Sequence, residues 1–208
     1  MRWRRMQTSP FRTADERRAD REEKREAVLR AAVRRFNTHG FHASSLDDVA
    51  ATLGVSKPTI YHYFGNKDQV LFECVTRGIE QLRAAADGAR QAPGTGLDRL
   101  RDFLRRYVGV MIDDFGRCLI RTADEALAPD SAARLRALKR EIDQAMRDLI
   151  RNGLADGSIV TPDVRLTAFA LAGALNWTAR WHRADGELSA DMVAERMVDL
   201  LITGLAPR

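Results

Sequence analysis

The chain has 208 residues, 45% hydrophobic and 30% charged, a balance that excludes general disorder and allows a sizeable buried core. Residues 1–67 hold 14 Lys and Arg against 8 Asp and Glu, so the first third carries +6 and the remainder −1. This asymmetry indicates either a polyanionic partner for the first third or a solvated basic face.

The longest uncharged apolar stretch, Leu166–Ala179, is shorter than the roughly 20 residues that span a bilayer. No apolar segment follows the basic residues 1–7, so we expect a cytoplasmic protein with no membrane partner.

Helical periodicity runs through almost the whole chain, and no segment has the alternation typical of a strand. The pattern therefore predicts an all-α fold of about nine helices, preceded by a mobile basic arm over residues 1–13. Contact of this arm with a minor groove and simple disorder both remain open. In chain order, the predicted helices cover residues 14–38, 45–53, 57–64, 67–86, 97–115, 117–127, 131–156, 161–183 and 189–204.

Cysteine and histidine usage points away from metal binding and catalysis. Cys74 and Cys118 each lie in a helical pattern without neighbouring metal ligands, so buried free thiols are expected, with a redox-sensing thiol as the alternative. The four histidines show no triad or metal spacing; they are His39, His42, His62 and His182. We therefore expect no metal, no cofactor and no enzymatic activity.

Residues 45–53 and 57–64 form two short helices joined by the turn Gly54-Val55, the sequence form of a helix-turn-helix. Such short helices persist only when they pack on another element. Val28, Ala32 and Phe36 can supply that surface from the first helix. Residues 14–67 are therefore predicted to form a three-helix head.

The second short helix has one buried and one outward face at 100° per residue. Ile60 and Phe64 mark the buried face, whereas Pro58 and His62 point away from it. Thr59 and Tyr61 flank the outward residues, and this mixture of donors, acceptors and apolar surface suits a major groove. An aromatic surface strip without function is the alternative. Lys57 and Lys67 bracket the helix and can hold phosphates.

The run SLDDVAATLGVSKPTIYHYFGNKD, residues 45–68, resembles the DNA-binding signature of the TetR/AcrR regulators. The resemblance implies that Pro58, Tyr61 and His62 face bases and that Ser45, Thr59, Tyr63 and Lys67 hold phosphates. Pro58 departs from the glycine that is frequent there, which removes a backbone donor. The predicted DNA-binding set is Ser44, Ser45, Lys57, Pro58, Thr59, Tyr61, His62, Tyr63 and Lys67.

The resemblance also implies that residues 68–208 form a helical body that dimerises and holds an inducer. Residues 161–183 are apolar all round, which requires burial on more than one side. One side of this helix, together with the last helix, is predicted to form a four-helix seam between two subunits, with burial inside the monomer as the alternative. The predicted interface is Val164, Ala168, Leu171, Ala172, Leu175, Ala179, Val193, Met197, Leu200 and Leu201.

Large aromatic residues and methionines in the body suggest an apolar or amphipathic effector, and a nearby arginine can meet a carboxylate or phosphate. The segment 176–182, followed by Asp185-Gly186, resembles regulators of lipid or steroid catabolism that respond to acyl-CoA thioesters. The predicted effector pocket is Phe103, Tyr107, Met111, Phe115, Arg121, Met146, Phe169, Asn176, Trp177 and Arg180.

Together these features predict a ligand-responsive repressor that binds a palindromic double-stranded operator as a homodimer. Its two heads must lie one DNA turn, about 34–36 Å, or a multiple apart. A transcriptional activator and an effector-independent DNA-binding protein are the alternatives, and the long apolar body argues against the second.

Overall fold

The computed structural model describes residues 13–203, apart from the side chain of Asp124. Except for Thr13, the predicted basic arm lies outside these residues. Within this range the fold is all-α, as predicted, with one 3₁₀ turn at Asp124–Ala126. The helices are α1 (Ala14–His39), α2 (Leu46–Leu53), α3 (Lys57–Phe64), α4 (Lys67–Gln91), α5 (Gly96–Ile112), α6 (Asp114–Arg121), α7 (Pro129–Ala155), α8 (Val164–Trp181) and α9 (Ala190–Thr203).

Helices α1 to α3 form the predicted head. The Ser45 hydroxyl accepts from the Asp48 amide while the Asp48 carboxylate accepts from the Ser45 amide, so the capping box with aspartate in the usual glutamate position is present. Gly54 has φ 65°, a left-handed conformation that ends α2 without side-chain strain. Leu29 of α1, Val49 of α2 and Ile60 of α3 are fully buried, and they join the three helices into one core.

The body is built around α4 and α5. Helix α4 runs from the head into the body, where it packs against α5, α6 and α7, and α5 in turn packs against α7, α8 and α9. No helix within residues 13–203 combines the length and the apolar character needed to cross a membrane. Cys74 and Cys118 are buried free thiols, and burial raises the pKa of both.

The boundary between α5 and α6 differs from the prediction, which ran one helix through Phe115 and began the next at Arg117. Helix α5 ends at Ile112, because Asp113 is extended (φ −64°, ψ 157°) and caps α6 by accepting from the Phe115 amide at 3.0 Å. The apolar periodicity of the sequence continues across this break, so the sequence pattern did not indicate where α5 ends. The chain then doubles back so closely that a Cβ on Gly116 would lie 1.9 Å from the Val110 carbonyl oxygen.

This contact predicts unequal effects for two glycine-to-alanine changes. Gly116→Ala should lower the stability by at least about 2 kcal/mol, since the clash is with backbone. Gly109→Ala is the control, because Gly109 lies within α5 and a Cβ added there would meet no atom within 4 Å, and it should gain roughly 0.5–1 kcal/mol. Thermal melting should show a fall of roughly 4 °C or more for the first and no fall for the second. Equal melting temperatures would contradict the close approach.

Candidate DNA-binding face and effector cavity

Helix α3 presents the outward face that its sequence predicts. Ile60 and Phe64 are buried in the head core, whereas Pro58 and His62 are exposed and Tyr61 is 40% exposed. Pro58 lies in the first turn, where a missing backbone donor is tolerated. The side chains on this face therefore offer an imidazole, a phenol and an apolar ring to a groove.

Lys57 is held by an acidic neighbour in the DNA-free chain. Its ammonium lies 2.9 Å from the Asp47 carboxylate, a contact that raises the pKa of Lys57, and 5.8 Å from the centre of the Tyr61 ring. A DNA phosphate must therefore compete with Asp47 for this cation. Ser56 precedes α3 but makes no capping bond with its side chain; its hydroxyl lies 2.9 Å from the hydroxyl of Thr59.

The remaining residues of the predicted DNA-binding set are half-buried or buried. The Lys67 ammonium lies 4.2 Å from the centre of the Phe41 ring, and partial burial lowers the pKa of Lys67. Tyr63 is half-buried, and Ser45 keeps its hydroxyl hydrogen while the oxygen accepts the capping bond. Ser44 requires correction: it is buried, its hydroxyl donates to the Gly40 carbonyl at 2.7 Å, and its side chain is not part of the exposed face.

The head is joined to the body through α1. The Asn37 side-chain amide donates to the Asp114 carbonyl at 2.8 Å, and the Arg121 guanidinium donates to the Asn37 carbonyl at 3.1 Å. On the other side of the head, Arg25 pairs with Glu73 of α4 and lies 5.0 Å from the centre of the Phe64 ring. The orientation of α3 is therefore coupled to both α4 and α6.

An apolar cavity of about 250 Å³ lies in the body between α4, α5, α6, α7 and α8. The Tyr107 hydroxyl donates to the Asn176 side-chain oxygen at 2.9 Å across it, and burial raises the pKa of Tyr107, so the phenol stays neutral. Four of the ten predicted effector residues line this cavity, namely Tyr107, Met146, Phe169 and Asn176.

The other six predicted effector residues lie elsewhere. Phe103, Met111 and Phe115 are buried and fill the core without lining the cavity, and Trp177 is 61% exposed on the outside of α8. Arg121 and Arg180 line a different cleft, between the head and the body.

Sequence reasoning missed eight residues that line the cavity. One feature of the sequence could have indicated some of them. Lys139 and Asp143 are charged residues four positions apart on α7, and they flank the apolar Ile142 in the sequence. The eight are Ile79, Leu82, Leu119, Ile120, Lys139, Ile142, Asp143 and Ala172.

Most of the side of α8 that was predicted to form the subunit interface is buried within the chain itself, which was the alternative. Five residues assigned to the subunit interface are buried in the chain's own core and cannot reach a second subunit: Ala168, Leu171, Leu175, Ala179 and Val193. Val164, Ala172, Met197 and Leu201 are half-buried against the same core, whereas Leu200 is 48% exposed. The exposed side of α8 carries Leu166, Ala170, Gly173 and Trp177, which we call the outer ridge.

A helix-turn-helix head joined to a helical body is the architecture of a DNA-binding transcriptional regulator. Residues 28–74 match the family model of bacterial regulatory proteins of the tetR family, and residues 93–205 match the tetracyclin repressor-like C-terminal domain. The chain belongs to the TetR family of transcriptional regulators. The first half of α1 precedes the matched region.

Two curated relatives from Mycolicibacterium smegmatis cover most of the chain. The transcriptional activator FasR is 29% identical over 194 residues, 91% of this chain and 86% of the relative. The transcriptional repressor KstR2 is 24% identical over 193 residues, 88% of this chain and 90% of the relative. The family thus includes both transcriptional activators and transcriptional repressors.

Two solved structures share the fold. The TetR family regulator PfmR from Thermus thermophilus is 30% identical with a TM-score of 0.80, covering 86% of this chain and 99% of its own. AibR, solved with isovaleryl coenzyme A and operator DNA, is 22% identical with a TM-score of 0.74, covering 84% of this chain and 96% of its own.

Proposed function

We propose that this regulator is a homodimeric repressor that binds a palindromic operator and is released by an acyl thioester. The observation that carries the effector part is the apolar cavity crossed by the neutral Tyr107–Asn176 hydrogen bond. Asn176 uses its oxygen in this bond, and its NH₂ group makes no hydrogen bond to another described residue. This leaves a donor for a thioester carbonyl.

The size of the cavity favours the acyl part of such a ligand. Its 250 Å³ is below the roughly 300–1,000 Å³ of pockets that enclose a whole drug-sized ligand. The remainder of the ligand would stay outside, near Phe169, whose ring centre lies 5.3 Å from the Arg147 guanidinium and 5.4 Å from that of Arg165. Arg147 also pairs with Asp143 at 2.6 Å, so Arg165 is the better candidate for a coenzyme phosphate. The isovaleryl coenzyme A bound to AibR supports the same ligand class.

Helix α6 connects the cavity to the head. Leu119 and Ile120 line the cavity, while Asp114 and Arg121 of the same helix bond to Asn37 of α1. A ligand that displaces α6 therefore changes the position of each head, and it favours release only if it binds the mis-spaced dimer better. A coupling free energy of roughly 1–3 kcal/mol would lower operator affinity about 5–150-fold.

A cavity-filling variant tests this effector site. Ala172→Phe places a ring in the cavity, so the acyl-CoA concentration needed for operator release should rise at least tenfold, or about 1.4 kcal/mol. Ala133→Phe on the exposed side of α7 is the matched control and should respond like the wild type. The measurement is fluorescence anisotropy of an operator duplex titrated with saturated acyl-CoAs, with free coenzyme A alongside.

Two results would reject parts of the proposal. If no acyl-CoA raises the melting temperature or releases the operator, the effector class is wrong. If bound regulator increases transcription from a template that carries the promoter of its own gene, it acts as an activator in the manner of FasR.

A further inference from the structure

A second cleft, of about 470 Å³, lies between the head and the body. It shares no residue with the apolar cavity. We call it the seam cleft. Its head wall is Phe36, Asn37, Gly40, Phe41 and His42, and its body wall is Cys118, Arg121, Thr122, Ala123, Ala126 and Arg180.

The seam cleft is basic. Arg121 and Arg180 line it, no acidic residue with a described side chain does, and the described structure gives neither arginine an ion pair. Arg121 donates to the carbonyls of Ala179 and Asn37, and Arg180 makes one long bond of 3.4 Å to the Ile120 carbonyl. No described carboxylate neutralises either positive charge, and a guanidinium presents paired donors that match the geometry of a carboxylate.

The rest of the wall is apolar. Phe36 and Phe41 meet edge to face at 5.4 Å between ring centres, beside Cys118 and Ala126. Positive charge and apolar surface therefore occur together in one cleft.

We propose that the seam cleft is a second ligand site, specific for small organic carboxylates with an aromatic or aliphatic body. The carboxylate binds Arg180 and the free edge of Arg121, while the apolar body packs on Phe36 and Phe41. Such a ligand touches head and body at once, and the Phe41 ring that it contacts also holds the Lys67 ammonium at 4.2 Å. The seam cleft is a separate site from the thioester cavity, with no lining residue in common.

Phenylacetate and benzoate are suitable probes, with phenylacetamide and benzamide as neutral counterparts of the same shape. Isothermal titration of the full chain should give one saturable site per subunit for at least one acid, at least tenfold weaker for its amide. Arg180→Gln should weaken acid binding at least tenfold. Arg183→Gln removes the same charge three residues away, where Arg183 pairs with Asp185, and should leave binding unchanged.

Four results would each overturn the proposal. The first is that neither acid binds saturably up to about 10 mM, where a site with a millimolar Kd is filled. The second is that the amides bind as well as the acids, and the third is that Arg180→Gln binds the acid like the wild type. Ala172→Phe separates the two sites, because it should weaken the response to acyl-CoA at least tenfold and retain acid binding. Loss of acid binding in Ala172→Phe would place the acid in the apolar cavity and also reject the seam cleft.

Discussion

Replacing Tyr61 and His62 together by alanine is expected to abolish sequence-selective operator binding in a correctly folded chain. Both side chains lie on the exposed face of α3, and neither belongs to the buried core that Ile60 and Phe64 share with the head. Two lost base contacts at roughly 1–3 kcal/mol each correspond to a fall of about 30-fold to 10⁴-fold in operator affinity. Binding to unrelated duplex depends on phosphate contacts and should fall far less.

Fluorescence anisotropy at one fixed salt concentration, with operator and scrambled duplexes, measures this selectivity. Asp87→Ala with Arg90→Ala is the control: this pair joins two exposed residues of α4 at 2.8 Å, and its removal leaves the net charge unchanged. Circular dichroism should show wild-type melting for both double variants. Retained discrimination in the folded Tyr61 and His62 variant would mean that α3 does not read the operator bases.

The head was predictable because each short helix has one buried side. On α3 only Ile60 and Phe64 are apolar at helical spacing, so the outward residues followed directly from the 100° rotation per residue. Ser44 was misassigned because its environment depends on the turn before it. Gly40 adopts φ 82°, and its carbonyl oxygen accepts the Ser44 hydroxyl, a contact that no periodicity can indicate.

The body was less predictable because many residues of α8 are apolar on every side. Ala168 and Ala179 were predicted to lie in the subunit interface, but they are buried inside the chain's own fold. Six of the ten predicted effector residues lie outside the apolar cavity for a related reason. A large buried side chain such as Phe103 fills space, whereas a cavity is lined by the residues around the gap, such as Leu82 and Ile142. Sequence alone does not locate gaps.

The exposed side of α8 leads to a second large effect. Leu166 is 66% exposed, Trp177 is 61% exposed, and Ala170 and Gly173 between them leave room for a facing helix. We propose that the outer ridge and Leu200 of α9 pack against the same residues of a second copy. Such an interface is two-fold symmetric, so one substitution changes it twice.

Trp177→Glu should therefore convert the dimer to monomer. The change removes a large apolar contact and places a carboxylate in each half of the interface, where desolvation costs several kcal/mol per charge. The dimer Kd should rise at least about 1,000-fold, equivalent to about 4 kcal/mol. Sedimentation equilibrium checks this, with Gln91→Glu at the exposed end of α4 as a control that adds the same charge away from α8.

Operator binding separates dimer loss from misfolding in the same variant. A monomer keeps an intact head, so the affinity of Trp177→Glu for a single half-site duplex should equal that of Gln91→Glu. Its affinity for the full palindrome should fall by roughly 10²–10⁴, because the second head no longer benefits from effective concentration. A Trp177→Glu chain that remains dimeric and binds the palindrome normally would show that the subunits associate through a different surface.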